Sequence, residues 1–123
     1  MDAQYQKMID YVVKTAEEKK AEQILVIDLD QRSIVADAMI IITAKNSIHC
    51  NSLANGLADA CSKKHWDKNE TDLYIPPKIL GDPQSGWIIL DLNAILVHIL
   101  MPEQREHYKI DEQFKDYPQT QYY

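Results

Sequence analysis

Glycine is scarce, with 3 in 123 residues: Gly56, Gly81 and Gly86. The chain accordingly has no Gly-x-Gly-x-x-Gly and no Gly-Lys-Ser/Thr, the loops whose backbone cradles phosphates, and no Gly-x-Ser-x-Gly elbow for a nucleophilic serine. The 2 cysteines, Cys50 and Cys61, form no CxxC, and so small a number excludes a disulfide scaffold. They read as reduced, buried thiols. Basic residues are in deficit, 13 Lys and Arg against 19 Asp and Glu, for a net charge of −6. A chain built to neutralise phosphates carries the opposite excess, so a direct, sequence-specific nucleic-acid role is disfavoured and a basic protein surface is favoured as partner. Long apolar runs are missing too. The longest, 86–101, is broken by Asp91, Asn93 and His98 and falls short of the roughly 20 residues of a spanning helix, so no membrane contact is expected. Residues 1–20 interleave charge with apolar side chains, unlike a signal or transit peptide, and a cytoplasmic location is the expectation.

What is present is ordinary globular material, 46% hydrophobic and 26% charged, enough for a single core without staples. Tyr5, Met8, Ile9, Val12, Val13 and Ala16 recur at helical spacing. Ile24 to Ile27 and Ala38 to Ala44 are continuous apolar runs that suit strands buried on both faces, and the short link between them makes the two antiparallel neighbours. Ser47 is the expected N-cap of a second helix with the stripe Cys50, Leu53, Ala54, Leu57, Ala58 and Cys61; Gly56 sits inside it at a cost of about 1 kcal/mol unless close packing against the sheet compensates. Residues 66–85 hold three of the five prolines and read as loop, with Ile79-Leu80 pairing briefly at a sheet edge. Residues 86–91 and 95–100 read as a hairpin with Asn93 at positive φ, Pro102 opens a third helix, and 116–123 has no period. The expectation is one α/β (α+β) domain over 1–115, a mixed sheet of four to five strands with helices packed on it, and a flexible tail over 116–123.

Two constellations carry possible chemistry. Asp28 and Asp30 end an apolar strand, and strand carboxylates two apart point to one face, where they can share a divalent metal. Haloacid-dehalogenase-like phosphatases expect Thr or Val where Arg32 stands, and nucleotidyltransferases need a Gly-Ser element upstream of the acids, whereas the first glycine here is Gly56. The plainer alternative makes both aspartates strand-ending turn residues. His49, Cys50, Cys61 and His65 resemble a zinc set, but about 16 Å of helix separates the two thiols, leaving Cys61 and His65 as half a site. His98 alternates with Val97 and Ile99 and reads as a hydrogen-bonded structural histidine. No cofactor is expected.

Ser85-Gly86-Trp87-Ile88-Ile89-Leu90-Asp91, then Val97-His98-Ile99, then Arg105-Glu106-His107-Tyr108-Lys109-Ile110-Asp111, resembles the SGWxLxDxGDxxVHxx…RExYxLExLW signature of the Iojap-like ribosomal silencing factors. Val26-Ile27-Asp28, Asp37, Ile40 to Ala44 and Ser47 are similar to that family's VxDx…DxxVIATGxS segment, so the resemblance covers about residues 5 to 114. Lys45 stands where the family has Gly, Asn93-Ala94 where it has Gly-Asp, Asp111 where it has Glu, and Gln113-Phe114 where it has Leu-Trp. The resemblance implies a nucleotidyltransferase-like fold without catalytic groups. It also implies a non-enzymatic factor that binds protein fourteen of the large ribosomal subunit and blocks subunit joining when nutrients are scarce, with a homodimer possible when free.

Read from the residues, Trp87, Ile89 and Asp91 share one face of a strand and Ile88 and Leu90 the other. Tryptophan, an aliphatic neighbour and a carboxylate together have the composition of an interface hot spot. The expected partner-binding set is Trp87, Ile89 and Asp91 with Asp37, Lys45, Arg105 and Tyr108, in which Asp37 and Arg105 serve turn capping, ion pairing and rim contacts. The competing reading is a metal-dependent phosphoryl or nucleotidyl transfer enzyme using Asp28 and Asp30.

Overall fold

A computed structural model describes residues 3–29, 36–63 and 76–122. Chain order is α1 (Ala3–Glu18), β1 (Glu22–Asp28), β2 (Ala38–Thr43), α2 (Ser47–Ser62), β3 (Lys78–Asp82), a 3-10 turn (Pro83–Ser85), β4 (Trp87–Asp91), β5 (Ile95–Leu100), α3 (Pro102–Tyr108), α4 (Ile110–Gln113) and β6 (Gln119–Gln121). The strands form one mixed sheet in the order β3-β4-β5-β2-β1-β6, in which β2 and β5 are parallel and the other neighbours antiparallel. The expected class therefore holds, with six strands rather than four or five. One added strand comes from the residues read as a tail: Gln119–Gln121 pair with Leu25, Val26 and Ile27 of β1, so 116–122 is not the unpaired segment its lack of period suggested. A three-residue edge strand is too short to show a period of two, and its exposed polar side chains disguise backbone pairing.

The two apolar runs at the centre behave as expected. β2 is buried along its whole length, because β1 and β5 flank it and both its faces are covered. On one face α1 contributes Ile9, Val12, Val13 and Ala16, and α2 contributes Cys50, Leu53, Ala54, Leu57 and Cys61. These close over Ile24, Val26, Ile40, Ile42, Ile88, Leu90, Val97 and Ile99. Each fully buried Ile or Leu there stabilises the fold by roughly 1.5–3 kcal/mol, so this layer is the principal core. Gly56 needs no Cβ for a different reason than sheet packing: a Cβ would lie 2.6 Å from Lys19 Cε, so the stem of the lysine that follows α1 occupies the space. Gly86 ends the 3-10 turn at φ +78, and Gln104 and Met101 press on it.

Helix α2 begins one residue earlier than the spacing suggested. Asn46, in extended backbone, is the N-cap, and its Oδ1 accepts the His49 N–H at 2.8 Å, which leaves Ser47 as the first helical residue. Asn46→Ala is therefore expected to lower stability by about 1 kcal/mol, several degrees in Tm for a domain of this size, while Ser47→Ala shifts it by less than half as much. Equal effects on paired thermal melts would contradict the cap assignment.

Candidate functional site

The opposite face of the sheet is closed over only part of its width. Leu25, Ile27, Met39, Ile41 and Leu100 lie under Ile110 of α4, with Phe114 and Tyr117 packed at their margin. Among the described residues the cover ends towards β4 and β3. The cross-strand rows Leu80–Ile89–His98 and Trp87–Leu100–Thr43 run along this face, and no described element covers Leu80, which is 50% exposed. Trp87 and Ile89 are half-buried, and Tyr108, at the end of α3, is 49% exposed.

Trp87 is held from two sides. Its Nε1–H donates to Nδ1 of buried His98 at 3.1 Å, and its ring lies 4.8 Å from that of Tyr108 at 53°. His107 meets Tyr108 edge-on at 4.9 Å. Burial pushes the His98 pKa down to about 4, which keeps the imidazole neutral and its Nδ1 lone pair available to the indole. The expected structural role of His98 thus has a specific form: it consumes the one polar group of the indole, so what Trp87 leaves exposed is apolar ring surface. Ring pairs of this kind are worth about 0.5–1.5 kcal/mol beyond the area they bury.

The remaining expected residues are spread across the molecule. Asp91, half-buried, accepts the Asn93 N–H through Oδ1 at 2.8 Å and shapes the hairpin turn in which Asn93 takes φ +73, as expected for that residue. Asp37 lies at the same end, its N–H donating to Ala94 O at 2.8 Å. Lys45 is exposed beyond the other end of β2, roughly 26 Å away at 3.3 Å per strand residue, and its N–H donates to His49 Nδ1 at 2.9 Å. Arg105 makes the ion pair expected of it but is buried, so it is not a rim contact. It is 8% exposed, donates through Nε and Nη2 to both Asp111 oxygens at 2.9 and 2.8 Å, and through Nη1 to Gln23 O and Thr43 Oγ1 at 2.6 and 2.9 Å. The hydrogen bonds from Arg105 hold the Asp111 carboxyl below its ordinary range. The structure thus brings Trp87, Ile89 and Tyr108 together, adds Leu80, and turns Arg105 inward. Leu80 was missed because its place on the face follows from the β3–β4 register, which a Pro-rich stretch with one short apolar pair conceals.

Among the described residues no three His, Cys, Asp or Glu side chains stand close enough to hold a metal ion. Asp28 is half-buried at the end of β1, whereas Asp30 and His65 lie outside the described residues. The Cys50 Sγ approaches Ile99 O at 3.8 Å, and burial raises both thiols, Cys61 to about 11, so both stay protonated at neutral pH. No described helix is long and apolar enough to cross a membrane.

The fold and the face define a small α+β domain that shields one side of its sheet with two long helices and displays an aromatic–aliphatic strip on the other. A family model described as ribosomal silencing factor during starvation matches residues 2–122, and the chain belongs to that family. Among relatives, the ribosomal silencing factor of Zymomonas mobilis is 30% identical over 104 residues, 85% of this chain and 72% of that protein. The one from Halalkalibacterium halodurans is 21% identical over 113 residues, covering 92% and 90%. A mouse protein named mitochondrial assembly of ribosomal large subunit protein 1 is 26% identical over 85% of this chain, which corresponds to 43% of its own length. A crystal structure of a Bacillus halodurans protein superposes with a TM-score of 0.74 at 20% identity, covering 94% of this chain and 97% of that one. One from Chromobacterium violaceum gives 0.72 at 19% identity, covering 94% and 88%. At those identities the structures establish the fold alone.

The Trp87–His98 bond has a pH signature. His98 falls from the ordinary 6.5 to about 4 in the folded chain, so the unfolded state binds the extra proton first. Stability from this group is complete above about pH 6.5 and is lost as pH falls towards 4, by at most about 3 kcal/mol. Chemical denaturation from pH 7.5 to 4.5 is expected to show this slope in the parent and a shallower one in His98→Gln; parallel slopes would remove His98 from the account.

Proposed function

We propose that this protein is a non-enzymatic translation repressor that docks on protein fourteen of the large ribosomal subunit and sterically blocks subunit joining under nutrient limitation. The observation that carries the reading is the strip of Trp87, Ile89, Leu80 and Tyr108, left partly exposed among the described residues, with Trp87 held by His98 and the strip rimmed by Asp82, Asp91 and Lys78 on the same sheet face. Membership of a family described as a silencing factor during starvation supports it, as does the name of the mouse relative, which ties that protein to the large subunit. Rigid aromatic surface beside aliphatic side chains is the composition of interface hot spots, and pre-organising it lowers the entropy lost on binding.

The mechanism asks nothing of bond chemistry. A 14.2 kDa domain seated where the small subunit must approach excludes it by volume, and repression equals occupancy. The net charge of −6 speeds approach to a basic protein surface, and the apolar strip slows departure.

Sucrose-gradient sedimentation with purified large subunits tests the reading. Trp87→Ala is expected to weaken binding by about 2 kcal/mol, roughly thirtyfold, with a smaller loss in Leu80→Ala. Unchanged affinity together with a lowered Tm would assign Trp87 to the core and remove the docking claim. Association rates should also fall as salt rises from low to physiological strength, because screening over about 8–10 Å weakens steering. A flat rate would remove electrostatics from the mechanism.

A further inference from the structure

We propose that Arg105 is a positioning residue for the Trp87 face: together with Asp111 it locks the corner between α3 and α4 and thereby holds Tyr108 across the indole. The proposal rests on the docking reading above for its consequence, while its structural half stands separately.

Helix α3 has seven residues and no side-chain cap, so it has little stability of its own. It ends at Tyr108, and Lys109 then turns the chain at φ +49 and ψ +42, a left-handed conformation disfavoured for any residue with a Cβ. The Arg105–Asp111 pair bridges that corner from both sides, with two parallel hydrogen bonds whose fork geometry fixes direction as well as distance. The third guanidinium nitrogen reaches the sheet. Nη1 donates to Thr43 Oγ1 on β2 and to Gln23 O on β1, at the irregularity where the β1–β2 register shifts between Glu22 and Leu25 and Gln23 itself takes φ +50. One side chain therefore ties Asp111, two residues beyond the left-handed Lys109, to the left-handed Gln23 on β1 and to Thr43 on β2.

This anchor sits at the right distance from the indole. Thr43 and Trp87 lie on one cross-strand row through Leu100, two strand spacings or about 10 Å apart. A single turn of α3 separates Arg105 on Thr43 from Tyr108 on Trp87, so fixing the first fixes where the second can reach. Arg105 is 8% exposed, and all three of its guanidinium nitrogens donate to Asp111, Gln23 or Thr43 inside the molecule. Its influence on binding passes through Tyr108.

The test uses the full chain. Asp111→Asn keeps the shape and removes the charge, and Asp111→Glu, the residue the silencing-factor signature carries there, keeps the carboxylate. Indole N–H resonances, assigned with Trp66→Phe, are recorded beside thermal melts and sedimentation with purified large subunits. Asp111→Asn is expected to move the Trp87 resonance towards its position in Tyr108→Ala and to weaken subunit binding about tenfold; Asp111→Glu is expected to keep both near the parent. Should Asp111→Asn not fold, Thr43→Val removes only one bond and is expected to give a smaller shift in the same direction. A lowered Tm with an unmoved Trp87 resonance in any folded variant, or a moved resonance with undiminished affinity, would overturn the positioning role. A moved resonance in a protein whose parent does not sediment with large subunits would overturn the docking reading and leave the positioning of Tyr108 intact.

Discussion

A single six-stranded sheet has two faces, and among the described residues only two helices are long enough to cover one of them. That constraint governs the rest of the structure. Helices α1 and α2 lie on the same side and build the continuous core, and the other side is left to two short helices and the segment after them. Those reach β1, β2 and β5 but stop short of Ile89 and Leu80. The open strip is thus a consequence of topology: β3 and β4 lie at the edge farthest from β6, where the chain that follows α4 returns to pair with β1.

Leaving apolar surface in water forfeits roughly 25 cal/mol per Å², which a monomer tolerates over a small area only. The molecule also orders the strip, which lowers the entropy lost when it is covered. The indole N–H is satisfied by His98, Tyr108 leans on the ring, and Arg105 holds the helix that carries Tyr108. Arg105 would be costly if unpaired, since a buried guanidinium must exchange water for hydrogen bonds of equal quality; here Asp111, Gln23 and Thr43 supply them. The indole N–H and the Arg105 guanidinium are bonded inside, and the strip shows aromatic and aliphatic surface within a charged rim.

Legibility in the sequence followed the range of the interactions. The central strands, their antiparallel pairing, the α2 stripe and the Asn93 turn rest on local period or a single turn residue, and all were readable. The Trp87, Ile89 and Asp91 face was readable from the alternation of one strand. β6 was not, because three polar residues gain strand structure only from the edge of β1. Arg105 in a sequence is an exposed cation by default; its burial depends on a β1 irregularity and a left-handed Lys109, neither marked by a glycine. Ser47 and Asn46 are both good caps, and the choice between them turns on one hydrogen bond to His49 N. The family resemblance added what no period carries, and the match over 2–122 agrees with it.

The central claim is that the β4 side of the sheet, and not the helical side, is the surface this protein presents to the ribosome. Hydroxyl-radical footprinting of the free protein and of the protein bound to purified large subunits, read by mass spectrometry, tests it at the level of side chains. The account predicts protection of Leu80, Trp87, Ile89 and Tyr108 on binding, with Ile48, 81% exposed near the start of α2, oxidised equally in both states. Protection of Ile48 and the outer surfaces of α1 and α2, with Trp87 and Tyr108 unchanged, would contradict it.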